Sequence, residues 1–216
     1  MSKTIKLTNA EIAHNKKLYD EYHIAYHMDD GWDTGNKESN FIDMAEIAIY
    51  TGIPLSGTKC LDVGCGTGDL SLFLRKRGVK DYLGIDIYEP SIKKAEKKYP
   101  DETFLFKDFL AAPIRRKFDY AFCSGGVTIK LPDTNNYEFL RATIEKMWRL
   151  TSIGIVFNIL TDDDDDPDDD LFFYSADTVK KICREIVGEE AKIIMEKTPG
   201  IFQMHFYLYR DSQQIL

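Results

Sequence analysis

No run of apolar residues in this chain reaches the roughly 18–20 that a helix needs to cross a bilayer. The opening residues, MSKTIKLTNAEIAHNKK, have no apolar core of a secretory leader. Their lysines are mixed with Glu11 and no arginine is among them, unlike a transit peptide. The expectation is a cytoplasmic protein with no membrane partner. Cysteine is scarce: Cys60, Cys65, Cys123 and Cys183 form no C-x-x-C pair, so free buried thiols are expected. His23 and His27 stand one helical turn apart, but no third ligand of telling spacing accompanies them, and no metal site is expected. A domain-wide excess of positive charge is also missing. The net charge is −8, and the whole of it comes from eight aspartates in TDDDDDPDDD, residues 161–170. Short basic clusters occur at 75–77, 93–98 and 115–117, without a recognition motif, which argues against nucleic acid as partner.

What is present is material for one sizeable core: 216 residues, 44% hydrophobic and 30% charged. Residues 8–28 read as a helix opened by the capping-box pair Thr8 and Glu11, with Leu18, Tyr19, Tyr22 and Tyr26 as an aromatic stripe. A loop is expected over 28–36, and a second helix over 40–51 with Asn40 as its cap. Strands and helices then alternate: strand 59–63, helix 68–77, strand 82–86, helix 90–98, strands 103–106 and 118–123, helix 136–150, strand 153–160, helix 175–187 capped by Ser175. Strands 191–196 and 203–209 follow with only a short turn between them. Alternation implies a parallel sheet with helices on both faces, and the short last turn makes the final strand antiparallel. The fold class is α/β: a doubly wound, Rossmann-like, mostly parallel sheet with an antiparallel last strand, plus an N-terminal helical cap. The expected division is a cap over 1–54 and a sheet domain over 55–216.

The stretch CLDVGCGTGDL, residues 60–70, is an apolar strand running into a tight glycine turn. A triphosphate loop would need a Lys-Ser or Lys-Thr after the glycines, and none follows. A dinucleotide fingerprint would read G-x-G-x-x-G; here the pattern is G-x-G-x-G, and Asp69 would repel a pyrophosphate. S-adenosylmethionine carries no phosphate. It presents an ammonium, ribose hydroxyls and an adenine amine, and acidic residues stand at three successive strand ends to receive them: Asp62, Asp86 and Asp108. The alternative is a cofactor-free α/β domain in which these aspartates are strand-end turns or helix caps.

LDVGCGTG (61–68), GID (84–86) and KDF (107–109), with the loop Ser124-Gly125-Gly126 after the fourth strand, resemble the class I S-adenosylmethionine-dependent methyltransferases over about residues 55–210. The resemblance implies that Asp62, Gly64 and Gly66 line the methionine moiety, with Cys65, Gly68 and Leu70 beside them. It implies Asp86 and Ile87 at the ribose, Asp108 and Phe109 at the adenine, and Ser124 and Gly125 completing the cofactor site. The family has no universal catalytic residue, and none is assigned. Asn158, a polar residue near the end of an apolar strand, either binds the acceptor or fixes a local turn with its amide, and Trp32, in a glycine loop of the cap, either closes over an acceptor or is a packing residue. A small-molecule acceptor is expected, taking the methyl on N or O. The acidic run at the carboxyl edge has two readings: a solvated loop kept extended by like-charge repulsion, or a rim that attracts a cationic amine. The alternatives are an RNA or protein acceptor, or a binding module without catalysis.

Overall fold

The computed structural model describes residues 5, 7–26, 34–163, 168–198 and 202–211, except the side chains of 22–26 and 34–36. The chain runs α1 (Asn9–Tyr26), α2 (Thr34–Ala45), α3 (Ile47–Thr51), β1 (Lys59–Val63), α4 (Asp69–Arg75), β2 (Asp81–Asp86), α5 (Glu89–Lys98), β3 (Thr103–Phe106), β4 (Phe118–Cys123), α6 (Asn136–Leu150), β5 (Thr151–Thr161), β6 (Phe173–Tyr174), α7 (Ala176–Val187), β7 (Lys192–Lys197) and β8 (Gln203–Tyr209). The main strand order is β3-β2-β1-β4-β5-β8-β7, with the short β6 paired parallel to the end of β5. β8 lies antiparallel between β5 and β7, because the link from Lys197 to Gln203 is too short for a parallel crossover. The order reverses between β1 and β4, so the carboxyl ends of these two strands flank the crevice where doubly wound sheets hold their ligands.

Period-two alternation along the strands splits the core into two layers. Ile155, Phe157 and Ile159 of β5 join Leu140, Ile144 and Met147 of α6 and Val179 and Cys183 of α7 on one face. Val156 and Tyr207 join Phe41, Met44, Ile47, Leu70, Leu74 and Ile92 on the other, so α2 to α5 cover that side. All four cysteines are free and buried.

Two expected elements change. The helix expected over 40–51 begins at Thr34, inside the expected loop, and breaks at Glu46. Asn40 therefore stands inside α2, 3% exposed, and its amide is used in tertiary contacts instead of a cap. Ser175 does occupy the N-cap of α7, but its side chain makes no capping bond. Thr8 and Glu11 form the reciprocal capping box: Thr8 N–H donates to Glu11 Oε2 at 2.7 Å, and Glu11 N–H to Thr8 Oγ1 at 3.2 Å.

Candidate functional site

β1 delivers the chain into a turn whose glycines Gly64, Gly66 and Gly68 have φ of +75°, +52° and +78°, a region costly for any residue with a Cβ. The N–H groups of Gly64 and Cys65 both donate to Ile85 O, at 2.8 and 3.2 Å, tying the turn to β2. A Cβ on Gly64 would stand 3.1 Å from the Gly126 backbone, so this turn and the loop after β4 pass in near contact. Gly68 faces away: a Cβ there would strike the Phe104 ring at 2.7 Å.

Two carboxylates anchor the crevice. Asp86 accepts from Gly66 N–H at 2.9 Å through Oδ2 and from Tyr88 N–H at 2.8 Å through Oδ1. It braces the loops after β1 and β2 against each other. Asp62 is 2% exposed and accepts from the Tyr82 hydroxyl at 2.6 Å. Burial pushes its carboxyl up to about 7; the Tyr82 bond pulls down and the Asp86 charge adds to the rise. A cationic group arriving beside Asp62 would restore its ionised form.

The crevice has two lobes, both open to solvent. Tyr19, Gly64, Asp86 and Gly126 line both lobes. The first adds Asp62, Cys65, Gly66, Leu70, Ser124 and Gly125 from the sheet domain, and Lys37 and Phe41 from α2. The second adds Ile87, Asp108 and Phe109, with Leu7 and Asn15 from the α1 region and Phe139 and Thr143 from α6. Asp108 Oδ1 accepts from Leu110 N–H at 2.8 Å, which sets the loop after β3. Lys146 of α6 holds the same loop from below: its buried ammonium donates to the carbonyl oxygens of Phe109, Leu110 (3.2 Å) and Ala112 (2.7 Å). Burial lowers its affinity for the proton.

The side chains from α1 and α2 are held over the crevice by specific contacts. Tyr19 stacks on Tyr88 with centroids 5.2 Å apart, and the Tyr88 hydroxyl donates to Asp20. Lys37 pairs with Asp69, which also receives Lys98, Tyr99 and Thr67. Burial alone would raise the Asp69 carboxyl, but these donors hold it well below the usual carboxylate range.

Of the residues the sequence singled out, Asp62, Gly64, Cys65, Gly66, Leu70, Asp86, Ile87, Asp108, Phe109, Ser124 and Gly125 line the two lobes, and Gly68 lines neither. Asn158 is 1% exposed and is not among the lining residues. Its Oδ1 accepts from Gly125 N–H at 2.7 Å, so it shapes the loop that does line the cleft. Trp32, His27 and the side chains of His23, Tyr22 and Tyr26 lie outside the described residues. No group of three or more His, Cys, Asp or Glu among the described residues could hold a metal ion. Of the basic clusters, Arg75 pairs with Glu102, Arg116 pairs with Asp81, and Arg77 lies over Phe73. Sequence reasoning missed Lys37, Phe41, Asn15, Thr143 and Lys146. The i, i+4 spacing of Asn15 and Tyr19 was the one available sign that α1 turns this face to the crevice.

This sheet order, with its glycine turn at the switch point and acids at successive strand ends, defines a class I methyltransferase fold. Residues 60–151 match the family model described as a methyltransferase domain. No curated protein sequence matches the chain significantly. Solved structures resemble it closely in fold and weakly in sequence. Magnesium protoporphyrin IX methyltransferase from Synechocystis, with bound S-adenosylmethionine, is 19% identical with a TM-score of 0.66, covering 91% of this chain and 97% of that one. The N-methyltransferase NodS from Bradyrhizobium japonicum, in complex with S-adenosylhomocysteine, is 16% identical at 0.64, covering 90% and 98%. Ribosomal protein L11 methylase from Lactobacillus delbrueckii is 18% identical at 0.57, covering 80% and 79%.

Proposed function

We propose that the chain transfers the methyl group of S-adenosylmethionine to an N or O atom of a small molecule, in a cleft roofed by its N-terminal helices. The cofactor, when bound, supplies a methyl group on a sulfonium, an electrophile that needs no activation by the protein. The acidic lobe suits its amino-acid end: Asp62 would face the ammonium, and Gly64 and Gly66 let the backbone approach. Asp86 would receive the ribose hydroxyls, and Asp108 and Phe109 the adenine. Residues 1–54 would act as the cap and 55–216 as the cofactor-binding domain. What the chain then contributes to rate is alignment of the acceptor and exclusion of water.

The roof carries the small-molecule reading. Leu7, Asn15 and Tyr19 from the α1 region and Lys37 and Phe41 from α2 line the two lobes assigned to the cofactor, so an acceptor reaches the methyl group past these side chains. The two similar enzymes named for a small acceptor or for N-methylation support it, as does the pairing of Arg75 with Glu102 and of Arg116 with Asp81 within the fold. The acidic run, which begins directly after β5, favours a cationic amine within that class.

The test is transfer of labelled methyl from S-adenosylmethionine to small amines, small hydroxyl compounds, RNA and whole-cell protein in parallel. Transfer to small amines is expected. Transfer only to RNA or protein would replace the small-molecule reading, and binding without transfer to any acceptor would make the chain a cofactor-binding module. Changing the aspartates of 162–170 to asparagine should raise KM for the amine at low salt; an unchanged KM would remove the amine preference.

A further inference from the structure

The second lobe contains two polar groups that the fold leaves unsatisfied. Asn15 of α1 is 7% exposed and Thr143 of α6 is 3% exposed. Neither Asn15 Oδ1 nor Thr143 Oγ1 has a hydrogen-bond partner among the described residues. Both side chains line the lobe that holds Ile87, Asp108 and Phe109. Buried polar atoms without partners are few in native proteins because each has given up water for nothing. Two of them, brought to one lobe by two different helices, mark where a ligand presents its own polar edge.

The surroundings narrow the ligand. Leu7, Val127, Leu131 and Phe139 give the lobe apolar walls fit for a flat ring. An amide oxygen requires a donor, and a hydroxyl can donate to a ring nitrogen. An aminopurine edge offers that pair, an exocyclic amine beside ring nitrogens, and asparagine is a side chain suited to it. Asn15 is also held in place. The capping box fixes the start of α1, and one helical turn beyond Asn15 the Tyr19 ring is stacked on Tyr88.

Resting on the assignment of this lobe to the base of the cofactor, we propose that Asn15 accepts from the exocyclic amine of the adenine, with Thr143 donating to the ring. α1 is then a cofactor-selecting element as well as a cover. One N–H of the amine goes to Asn15 and leaves the other for Asp108, whose Oδ1 is already taken by Leu110.

Calorimetric binding of S-adenosylhomocysteine, compared with its hypoxanthine analogue in which a carbonyl oxygen replaces the amine, tests this without turnover. The wild-type protein should prefer the amine. Asn15→Leu should lose about tenfold in affinity for S-adenosylhomocysteine and nothing for the analogue. Asn15→Asp, which keeps an acceptor oxygen, should keep the preference, and Thr143→Val should lose about threefold for the adenine ligand. If Asn15→Leu does not fold, Asn15→Ser, which removes the carbonyl and stays polar, carries the same expectation. A preference unchanged in the folded Asn15 variant, whether both affinities fall together or neither falls, overturns the proposal. Asp86→Ala separates the two levels. Normal binding of both ligands by Asp86→Ala would overturn the assignment of the cleft itself. Crippled binding there beside an unchanged preference in Asn15→Leu would overturn only the role of Asn15.

Discussion

Asp62 and Asp86 are both buried carboxylates at strand ends, yet the structure gives them different tasks. Asp86 spends an oxygen on each of two backbone N–H groups, at 2.9 and 2.8 Å, so it shapes the crevice before any ligand arrives. Asp86→Asn should weaken S-adenosylhomocysteine binding by about 10- to 100-fold, the range for losing charge-assisted hydrogen bonds, measured by calorimetry. Asp62 is poised by burial to titrate at about 7 instead of 3.8. Between those two pH values the unfolded chain binds fewer protons than the folded one. The stability tied to this group is therefore present below pH 4 and is lost as pH rises through 7. A cationic ligand reverses the preference by selecting the carboxylate. Binding at pH 6 should then release close to one proton, and almost none at pH 8, read from calorimetry in buffers of different ionisation enthalpy. In Asp62→Asn the release at pH 6 should vanish; if it persists, the proton comes from elsewhere. At this scale the strand-end acids were legible because spacing alone carries them to one edge. Their environments were not, since Tyr82 lies 20 residues away and reaches Asp62 only through strand pairing.

Elements are joined around the site by polar ties that no local pattern announces. Lys146 links α6 to the loop after β3 through three carbonyl oxygens. Lys146→Met keeps the stem and strands those acceptors, so a loss of at least about 2 kcal/mol in urea unfolding is expected, along with weaker binding of S-adenosylhomocysteine as the loop after β3 loosens. Asn40 does the same for α2. Its Nδ2 donates to Ser124, while its Oδ1 accepts from Gln203 Nε2 at 2.8 Å and lies 2.6 Å from His205 Nε2. Asn40→Ala should cost about 1–3 kcal/mol by leaving those donors buried and unpaired. Burial holds the His205 imidazole down to about 4, against its ordinary 6.5. The unfolded chain takes up that proton first, so this histidine contributes stability above pH 6.5 that is lost as pH falls to 4, opposite in sign to Asp62. His205→Gln should flatten the acid limb of a stability-against-pH curve. The helix expected over 40–51 missed for this reason: asparagine at position 40 reads as a cap locally, whereas its partners sit more than 80 and 160 residues away.

The whole molecule is a switch-point crevice under a helical roof, and its cooperative response to ligand follows. S-adenosylhomocysteine at 100 times its dissociation constant should add about 2.7 kcal/mol and raise Tm by a few degrees, while NAD at the same concentration leaves it unchanged. A rise with NAD instead would contradict the glycine-turn reading. The sequence by itself determined the alternation of strands and helices, the antiparallel ending, the glycine turn and the three strand-end acids. Each of these rests on short-range physics: side-chain periodicity, turn length, and the need for positive φ. Only the tertiary structure decided where α1 and α2 lie, that β6 pairs with β5, that Asn158 serves the Gly125 loop and that Asn15 and Thr143 share a lobe with Asp108. Those outcomes depend on contacts between residues far apart in the chain, where the desolvation of a polar group is settled by whichever partner the completed fold brings beside it.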